Sequence, residues 1–213
     1  MQLIIGNKTY SSWSLRGWLA VKASGHAFKE ILIPLRQADT RTQILRWSSS
    51  GKVPCLIDNG LAIWDSLAIA EYLAEEFPPL WPQDGAARAI ARAVSAEMHS
   101  GFPALRQNMS MDLQASLPGQ GHTPEVDAEI RRIEQIWTDC RNQYGSKGPY
   151  LFGEYSIADM MFAPVCFRFE TYAVSLGNSL ARDYLQTMLA HPHMQEWKQA
   201  ALAEPAIAPA EAR

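Results

Sequence analysis

The chain has 213 residues, of which 47% are hydrophobic and 19% are charged, so it can bury a core and is neither disordered nor a charged tail. Its 19 basic and 22 acidic residues give a net charge of -3, and no long basic run offers a surface for nucleic acid or an anionic membrane. No apolar run approaches the roughly 20 residues of a membrane-spanning helix, and no secretory signal pattern begins the chain. We therefore expect a cytoplasmic protein with a small-molecule or protein partner.

The cysteines and histidines do not form a recognisable ligand pattern. Cys55, Cys140 and Cys166 are odd in number and lack CxxC spacing, which argues against a disulfide framework or a zinc site. The histidines show no paired ligand spacing beyond His191-Pro192-His193. We expect reduced, mostly buried thiols and no metal.

The first 77 residues mix strand and helix patterns. Strands are predicted at residues 3–5 and 28–33, with a helix at 12–24 between them. Two more strands are predicted at 54–57 and 61–64, and the Asn59-Gly60 step between them is a strong hairpin signal. A helix from Asp65 to about Phe77 follows. The order β-α-β and then β-β-α predicts a small mixed sheet with helices on its faces.

Beyond this unit the chain reads as helical. The proline-rich run at 78–82 cannot continue a helix, so residues 79–84 are predicted to link an α/β domain at 1–78 to an all-α domain at 85–213. Pro103 should kink or split the first helix of that domain. The predicted helical segments are 85–115, 124–144, 157–172, 179–190 and 193–203. Residues 204–213 are rich in alanine and proline and are expected to form a loosely held tail.

Two short motifs in the first domain together suit a peptide ligand. Asp65-Ser66 stands directly before a helical pattern, where free N–H groups and the positive end of the helix dipole favour a bound carboxylate. Pro54 stands at the start of a predicted strand. A cis Val53–Pro54 peptide bond there can turn the N–H and C=O of Val53 outward toward an extended ligand. Each motif alone is common as a helix cap or a strand start. Both in one domain predict a peptide-binding site.

Four features in order along the chain resemble the soluble glutathione transferase family, and the resemblance covers essentially the whole chain. They are a serine-rich turn at 11–16, Val53-Pro54, Asp65-Ser66, and a helical second half with Ser156-Ile157-Ala158-Asp159. The serine turn is most similar to the zeta class, which includes maleylacetoacetate isomerases, but Trp13 stands where that class usually has cysteine. The resemblance implies a thioredoxin-like N-terminal domain that binds glutathione, a helical domain that completes the second-substrate site, and a homodimer.

The resemblance also implies how glutathione is activated. Only the thiolate is a good nucleophile, so the protein must lower a thiol pKa of about 8.5 toward neutrality. A serine hydroxyl at the start of the first helix would donate a hydrogen bond to the sulfur. A zeta-like alignment favours Ser11, whereas counting back from Arg16 as in theta-like members favours Ser12. The serine that does not reach the sulfur would cap the helix.

The remaining site residues follow from the same resemblance. Asp65 would pair with the γ-glutamyl ammonium, and Ser66 would hold the adjacent carboxylate. Val53 would pair with the cysteinyl backbone in a geometry held by Pro54, and the other glutathione contacts would come from Trp13 beside the sulfur and Lys52 at the glycyl carboxylate. In the helical domain, Met98 and Arg106 would face the second substrate, with Arg106 suited to an acidic acceptor. Ser156 and Asp159 have capping-box spacing and are assigned to folding.

These features predict a glutathione-dependent detoxifying transferase. The bound thiolate would attack an electrophilic carbon, reduce a peroxide or isomerise a double bond, and the sequence leaves the three reactions open. A thiol-disulfide oxidoreductase is disfavoured because no cysteine stands at the start of the first helix. The alternative is a non-catalytic regulatory or scaffolding protein of the same fold. Such a protein would be indicated by the loss of residues that bind glutathione.

Overall fold

The computed structural model describes residues 1–205, and its sheet lies entirely in the first third of the chain. The four strands have the spatial order β2-β1-β3-β4 and are β1 (Gln2–Ile5), β2 (Lys29–Leu32), β3 (Cys55–Asp58) and β4 (Leu61–Trp64). Strand β1 pairs in parallel with β2 and antiparallel with β3, and β3 pairs antiparallel with β4. Asn59 and Gly60 both have positive φ, at 46° and 83°, as a two-residue hairpin turn requires. The predicted hairpin and mixed sheet are confirmed.

Helices make up most of the remaining described chain. In the first part they are α1 (Ser12–Ala23), α2 (Thr40–Leu45) and α3 (Ser66–Glu76). From residue 85 onward they are α4 (Gly85–Ser100), α5 (Pro103–Asn108), α6 (Pro124–Tyr144), α7 (Ile157–Thr171), α8 (Ser179–Ala190) and α9 (Pro192–Leu202). Short 3₁₀ helices occupy Pro78–Leu80 and Gly145–Lys147. A small α/β unit followed by a helical unit is the predicted fold class. None of the helices that the structure describes is long and apolar enough to cross a membrane.

Helix α2 was not predicted, because its local signals are weak. It has six residues, and the Asp39 side chain at its N-cap makes no capping hydrogen bond. Its buried residue is Ile44, which packs with Ile4, Ile33 and Cys55 in a small cluster on the sheet. Tertiary packing therefore supplies the stability that a helix this short lacks by itself.

The helix predicted over residues 85–115 is split and shorter than expected. Pro103 begins a separate helix, α5, which ends at Asn108. The segment that follows is not helical, although its apolar residues Met109, Met111 and Leu113 are buried. Arg168 Nε donates to the Met109 carbonyl at 2.8 Å, which ties this segment to α7. The apolar spacing there reflects burial against α7, so the prediction beyond Asn108 is wrong.

The first part and the helical part pack through α1. This helix contacts both α3 and the almost wholly buried α7, and Arg16 Nε donates to the Met161 carbonyl at 2.9 Å. The three cysteines are free and buried.

Glu204 accepts hydrogen bonds from the backbone N–H groups of Lys8, at 2.7 Å, and Thr9, at 3.0 Å. The expected loose tail is thus wrong for Glu204, and residues 206–213 lie outside the described part of the chain.

Ser156 and Asp159 form the predicted capping box at the start of α7. Asp159 is fully buried, and its carboxylate accepts from Leu151 N at 3.0 Å, Ser156 N at 2.9 Å and Ser156 Oγ at 3.0 Å. Burial raises the pKa of Asp159 to about 6, although these hydrogen bonds oppose the shift. The box joins the loop before α7 to the helix that carries much of the core, which supports the structural role assigned to both residues.

Candidate functional site

A cavity of about 940 Å³ lies between the sheet unit and the helical unit. It is lined by the N-termini of α1 and α3, by the turn before β3, and by residues of α4, α5 and α7. All residues predicted to contact glutathione line it, namely Ser11, Ser12, Trp13, Lys52, Val53, Asp65 and Ser66, and so do Pro54 and Arg106. Segments far apart in the chain therefore form one concave surface large enough for a small peptide.

The two candidate serines differ in how their hydroxyls are used. Ser11 is the N-cap of α1, where its Oγ accepts from Ser14 N at 3.3 Å and donates to Ser14 Oγ at 2.8 Å. Ser12 Oγ makes no hydrogen bond with any residue in the range 1–205. A hydroxyl has one proton to donate, so Ser11 has already used its proton and Ser12 has not.

The turn before β3 presents an unpaired stretch of backbone. The Val53–Pro54 peptide bond is cis, as predicted. The N–H and C=O of Val53 have no hydrogen-bond partner within the described residues. Lys52 stands beside Val53 with an exposed side chain that makes no ion pair within the same range. This segment can therefore accept and donate main-chain hydrogen bonds to an extended ligand.

The N-terminus of α3 forms another part of the wall. Asp65 has a φ of 77°, and its Oδ1 accepts from Leu67 N at 2.8 Å and Ala68 N at 3.3 Å. Ser66 is the first residue of the helix, and its buried hydroxyl has no partner within the described chain. The Ser66 N–H also lacks one there. Two donors at the positive end of α3 are thus left for an anion.

His99 belongs to this site, although sequence reasoning gave it no role. It lies on α4 and lines the cavity, with its Nε2 3.0 Å from Asp65 Oδ2. Its ring packs edge-on against Trp13, with 5.2 Å between ring centroids. The resemblance implied a second-substrate role for Met98 and Arg106 in this region, but none for His99. The pairing with Asp65, 34 positions earlier, has no local signal.

Three arginines concentrate positive charge beside the cavity. Arg168 is only 4% exposed, lines the cavity, and has an Nη1 group without a hydrogen-bond partner in the described chain. Arg16 is 1% exposed, and both of its Nη groups also lack partners there. The guanidinium carbons of Arg16 and Arg106 lie 4.7 Å and 4.9 Å from the Trp13 ring centre. Arg168, on the buried helix α7, was not predicted as a site residue.

The positive charges of these three arginines repel one another. Burial and, to a lesser extent, the nearby Arg106 together lower the pKa of Arg168 to about 10. Burial, followed by Arg106 and Arg168, lowers the pKa of Arg16 well below its usual range, whereas Asp65 raises it. Burial also lowers the pKa of Arg106. Unpaired guanidinium donors under mutual repulsion make this wall a favourable place for an anion.

The prediction that the Met98 side chain faces the second substrate is wrong. Its side chain is fully buried in the core and does not line the cavity. Only its carbonyl takes part, as an acceptor for Arg106 Nη2, while Arg106 Nε donates to the Gly101 carbonyl at 2.9 Å. Arg106 is therefore oriented by the end of α4. The apolar lining from this region comes from Met111, with Ser110 beside it.

Comparison with known proteins gives a consistent result over both units. Residues 10–76 match the family model "Glutathione S-transferase, N-terminal domain", and residues 123–200 match "Glutathione S-transferase, C-terminal domain". The rat protein "Maleylacetoacetate isomerase" is 32% identical over 172 residues, which cover 78% of this chain and 76% of that protein. The Caenorhabditis elegans "Probable maleylacetoacetate isomerase" is 28% identical over 199 residues, covering 86% and 89% of the two chains.

Solved structures agree in fold. A zeta-class bacterial maleyl pyruvate isomerase superposes with a TM-score of 0.74 at 19% identity, covering 97% of this chain and all of that one (100%). A glutathione transferase homologue from Burkholderia, solved with bound glutathione, superposes with a TM-score of 0.69 at 21% identity, covering 94% of this chain and 97% of that one. At these identities the likeness concerns the fold alone.

Proposed function

Because the chain belongs to the glutathione S-transferase family, with zeta-like relatives, we propose that it is a glutathione-dependent enzyme whose tripeptide binds in the 940 Å³ cavity. The observation that carries this proposal is that several polar groups without hydrogen-bond partners in residues 1–205 lie on one wall of the cavity. These groups are the Ser12 hydroxyl, the N–H and C=O of Val53, and the N–H and hydroxyl of Ser66. Polar groups left without internal partners at a cavity suit a ligand that pairs with them.

The tripeptide would run along this wall from α3 to the turn before β3. Ser66 would bind the γ-glutamyl carboxylate at the helix N-terminus, and Asp65 would bind the neighbouring ammonium. Val53 would pair with the cysteinyl backbone in the manner of an added strand. Lys52 would lie near the glycyl carboxylate, where an exposed ammonium adds a modest attraction.

The sulfur would then lie at the start of α1. The Ser12 hydroxyl, which makes no hydrogen bond within the described chain, would donate to it, while Ser11 caps the helix. The hydrogen bond and the helix dipole both favour the thiolate over the thiol. Lowering the thiol pKa by one unit requires about 1.4 kcal/mol of stabilisation of the thiolate relative to the thiol. We expect the pKa to fall by about one or two units. Stabilising the thiolate in place would supply the electrostatic part of catalysis.

The second substrate would be a small electrophile that carries a carboxylate. Arg106 and Arg168 line the cavity. The acceptor would place its acidic group against Arg168 Nη1, which has no partner in the described chain, and beside the positive charge of Arg106. Trp13 and Met111 would contact the apolar part of the same molecule. Relatives named maleylacetoacetate isomerase favour reversible thiolate addition that isomerises a double bond, with conjugation as the simpler outcome.

The test is a calorimetric titration with glutathione, combined with thiolate ultraviolet absorbance measured against pH. We expect binding together with a thiol pKa below that of free glutathione. Binding without a lowered pKa would instead favour the non-catalytic scaffolding alternative. Absence of binding would contradict the proposed function.

Replacing Arg106 by glutamine should raise the KM for a carboxylate-bearing acceptor by about 10-fold, because a charge-assisted hydrogen bond is lost. The KM for glutathione and the rate with a neutral halogenated aromatic acceptor should change little. The measurement is steady-state kinetics with both acceptors. Arg132→Gln is the matched control, since Arg132 pairs with Glu97 on the surface and does not line the cavity. Equal losses with acidic and neutral acceptors would contradict a charge-specific role for Arg106.

A further inference from the structure

His99 makes a contact that joins the helical unit to the glutathione wall. Its Nε2 lies 3.0 Å from Asp65 Oδ2, and the edge of its ring packs against Trp13. The Nδ1 atom is buried and has no partner in the described residues. A carboxylate oxygen can only accept, so Nε2 is the donor in this pair. The imidazole is thus held between Trp13 and Asp65, with one hydrogen bond directed at the carboxylate.

The Asp65 carboxylate has little freedom left. A carboxylate offers about four acceptor positions, of which Leu67 N and Ala68 N use two at Oδ1 and His99 uses one at Oδ2. The backbone at Asp65 has a φ of 77°, which is uncommon for a residue other than glycine. The Asp65 side chain is nevertheless 42% exposed, so its remaining acceptor position is accessible to a ligand.

We propose that His99 is a positioning residue, which orients the Asp65 carboxylate to receive the γ-glutamyl ammonium of glutathione. This inference rests on the proposed function. Without the bond from His99, Leu67 N and Ala68 N would still hold Oδ1, but Oδ2 would lose its partner and the orientation of the carboxylate plane would be less restricted. The carboxylate would then have to be ordered when glutathione binds, and the entropy lost in that step would weaken the affinity. His99 would thereby make recognition of the amino group depend on the helical unit.

The experiment compares two ligands by calorimetry. One is glutathione, and the other is glutaryl-cysteinyl-glycine, which lacks the γ-glutamyl amino group. We expect His99→Ala to weaken glutathione binding by about 10-fold, the size of one hydrogen bond to a charged group. Binding of the analogue should be nearly unchanged, because the contact that His99 positions is absent. His99→Gln, which keeps a side-chain N–H donor at similar reach, should restore most of the affinity for glutathione.

The control is His122→Ala, since His122 makes a similar pair with Asp127, with 2.6 Å between Nδ1 and Oδ1, outside the cavity. It should bind both ligands as the wild type does. If His99→Ala does not fold, His99→Leu retains an apolar contact with Trp13 and allows the same comparison. Unchanged glutathione binding in the variant, or equal loss for both ligands, would overturn the inference alone. Failure of the wild-type protein to bind glutathione would overturn the proposed function as well.

Discussion

Replacing Ser12 by alanine is expected to lower kcat/KM by about 100-fold, the effect of removing one donor that stabilises developing or bound negative charge. Ser12 lines the cavity at the start of α1, and its hydroxyl makes no internal hydrogen bond in the described chain. Its loss would leave the bound sulfur without that donor, so the thiol pKa in the complex should rise. Steady-state kinetics and thiolate absorbance against pH measure the two effects separately. The Kd for glutathione should change much less, because most of the tripeptide contacts lie elsewhere.

Ser11→Ala is the matched control for this prediction. Ser11 caps α1, with its Oγ accepting from Ser14 N, so its removal should cost about 1 kcal/mol of stability. Activity of the folded variant should stay close to that of the wild type. If Ser11→Ala raised the thiol pKa and Ser12→Ala did not, the two roles would be the reverse of those proposed.

Replacing Asp159 by alanine is expected to lower the free energy of unfolding by about 3 kcal/mol or more. The change would leave the Leu151 N–H, the Ser156 N–H and the Ser156 hydroxyl without their acceptor in the protein interior. Each buried donor left unpaired costs about 1–3 kcal/mol. Urea denaturation measures the loss. Thr123→Ala at the partly exposed N-cap of α6 is the control and should cost only about 1 kcal/mol. Equal losses in the two variants would contradict a special role for the buried box.

Asp159 should also make stability depend on pH. Burial raises its pKa from an ordinary value of 3.8 to about 6, so the folded protein binds this proton more tightly than the unfolded chain does. The stabilisation that comes from this proton is fully present below the unfolded value and is lost as the pH rises through about 6. Asp159→Asn does not titrate. As the pH rises from about 4 to about 7, the free energy of unfolding of the wild type should therefore fall relative to that of Asp159→Asn. A difference between the two proteins that does not change with pH would contradict the shifted pKa.

The side of the cavity that is proposed to bind glutathione was predictable because its signals are local. The local signals are Val53-Pro54, Asp65-Ser66 and the two serines at the start of α1. Each lies at the end of one helix or strand, and the structure brings them to one wall. The same is true of the hairpin at Asn59-Gly60 and of the box at Ser156 and Asp159. In each case, the residues that interact are only a few positions apart.

The side proposed for the second substrate was less predictable because it depends on packing between distant segments. Spacing alone could not show that Met98 points into the core or that the segment after Asn108 is buried without being helical. It also could not show that the buried Arg168 reaches the cavity, since that requires α7 to pack beside the segment at Met109.

The amino-acid sequence by itself therefore determined the fold class, the family resemblance and the groups that line the wall proposed for the tripeptide, because helix caps, turns and strand starts are set by neighbouring residues. Only the tertiary structure decided which serine keeps a hydroxyl without a partner in residues 1–205, and that His99 pairs with Asp65. The same holds for the clustering of Arg16 and Arg106 against Trp13, with Arg168 close enough to both to affect their charges. The physical reason is that hydrogen-bond occupancy and charge clustering depend on which side chains meet in space, and these side chains come from separate elements of the fold.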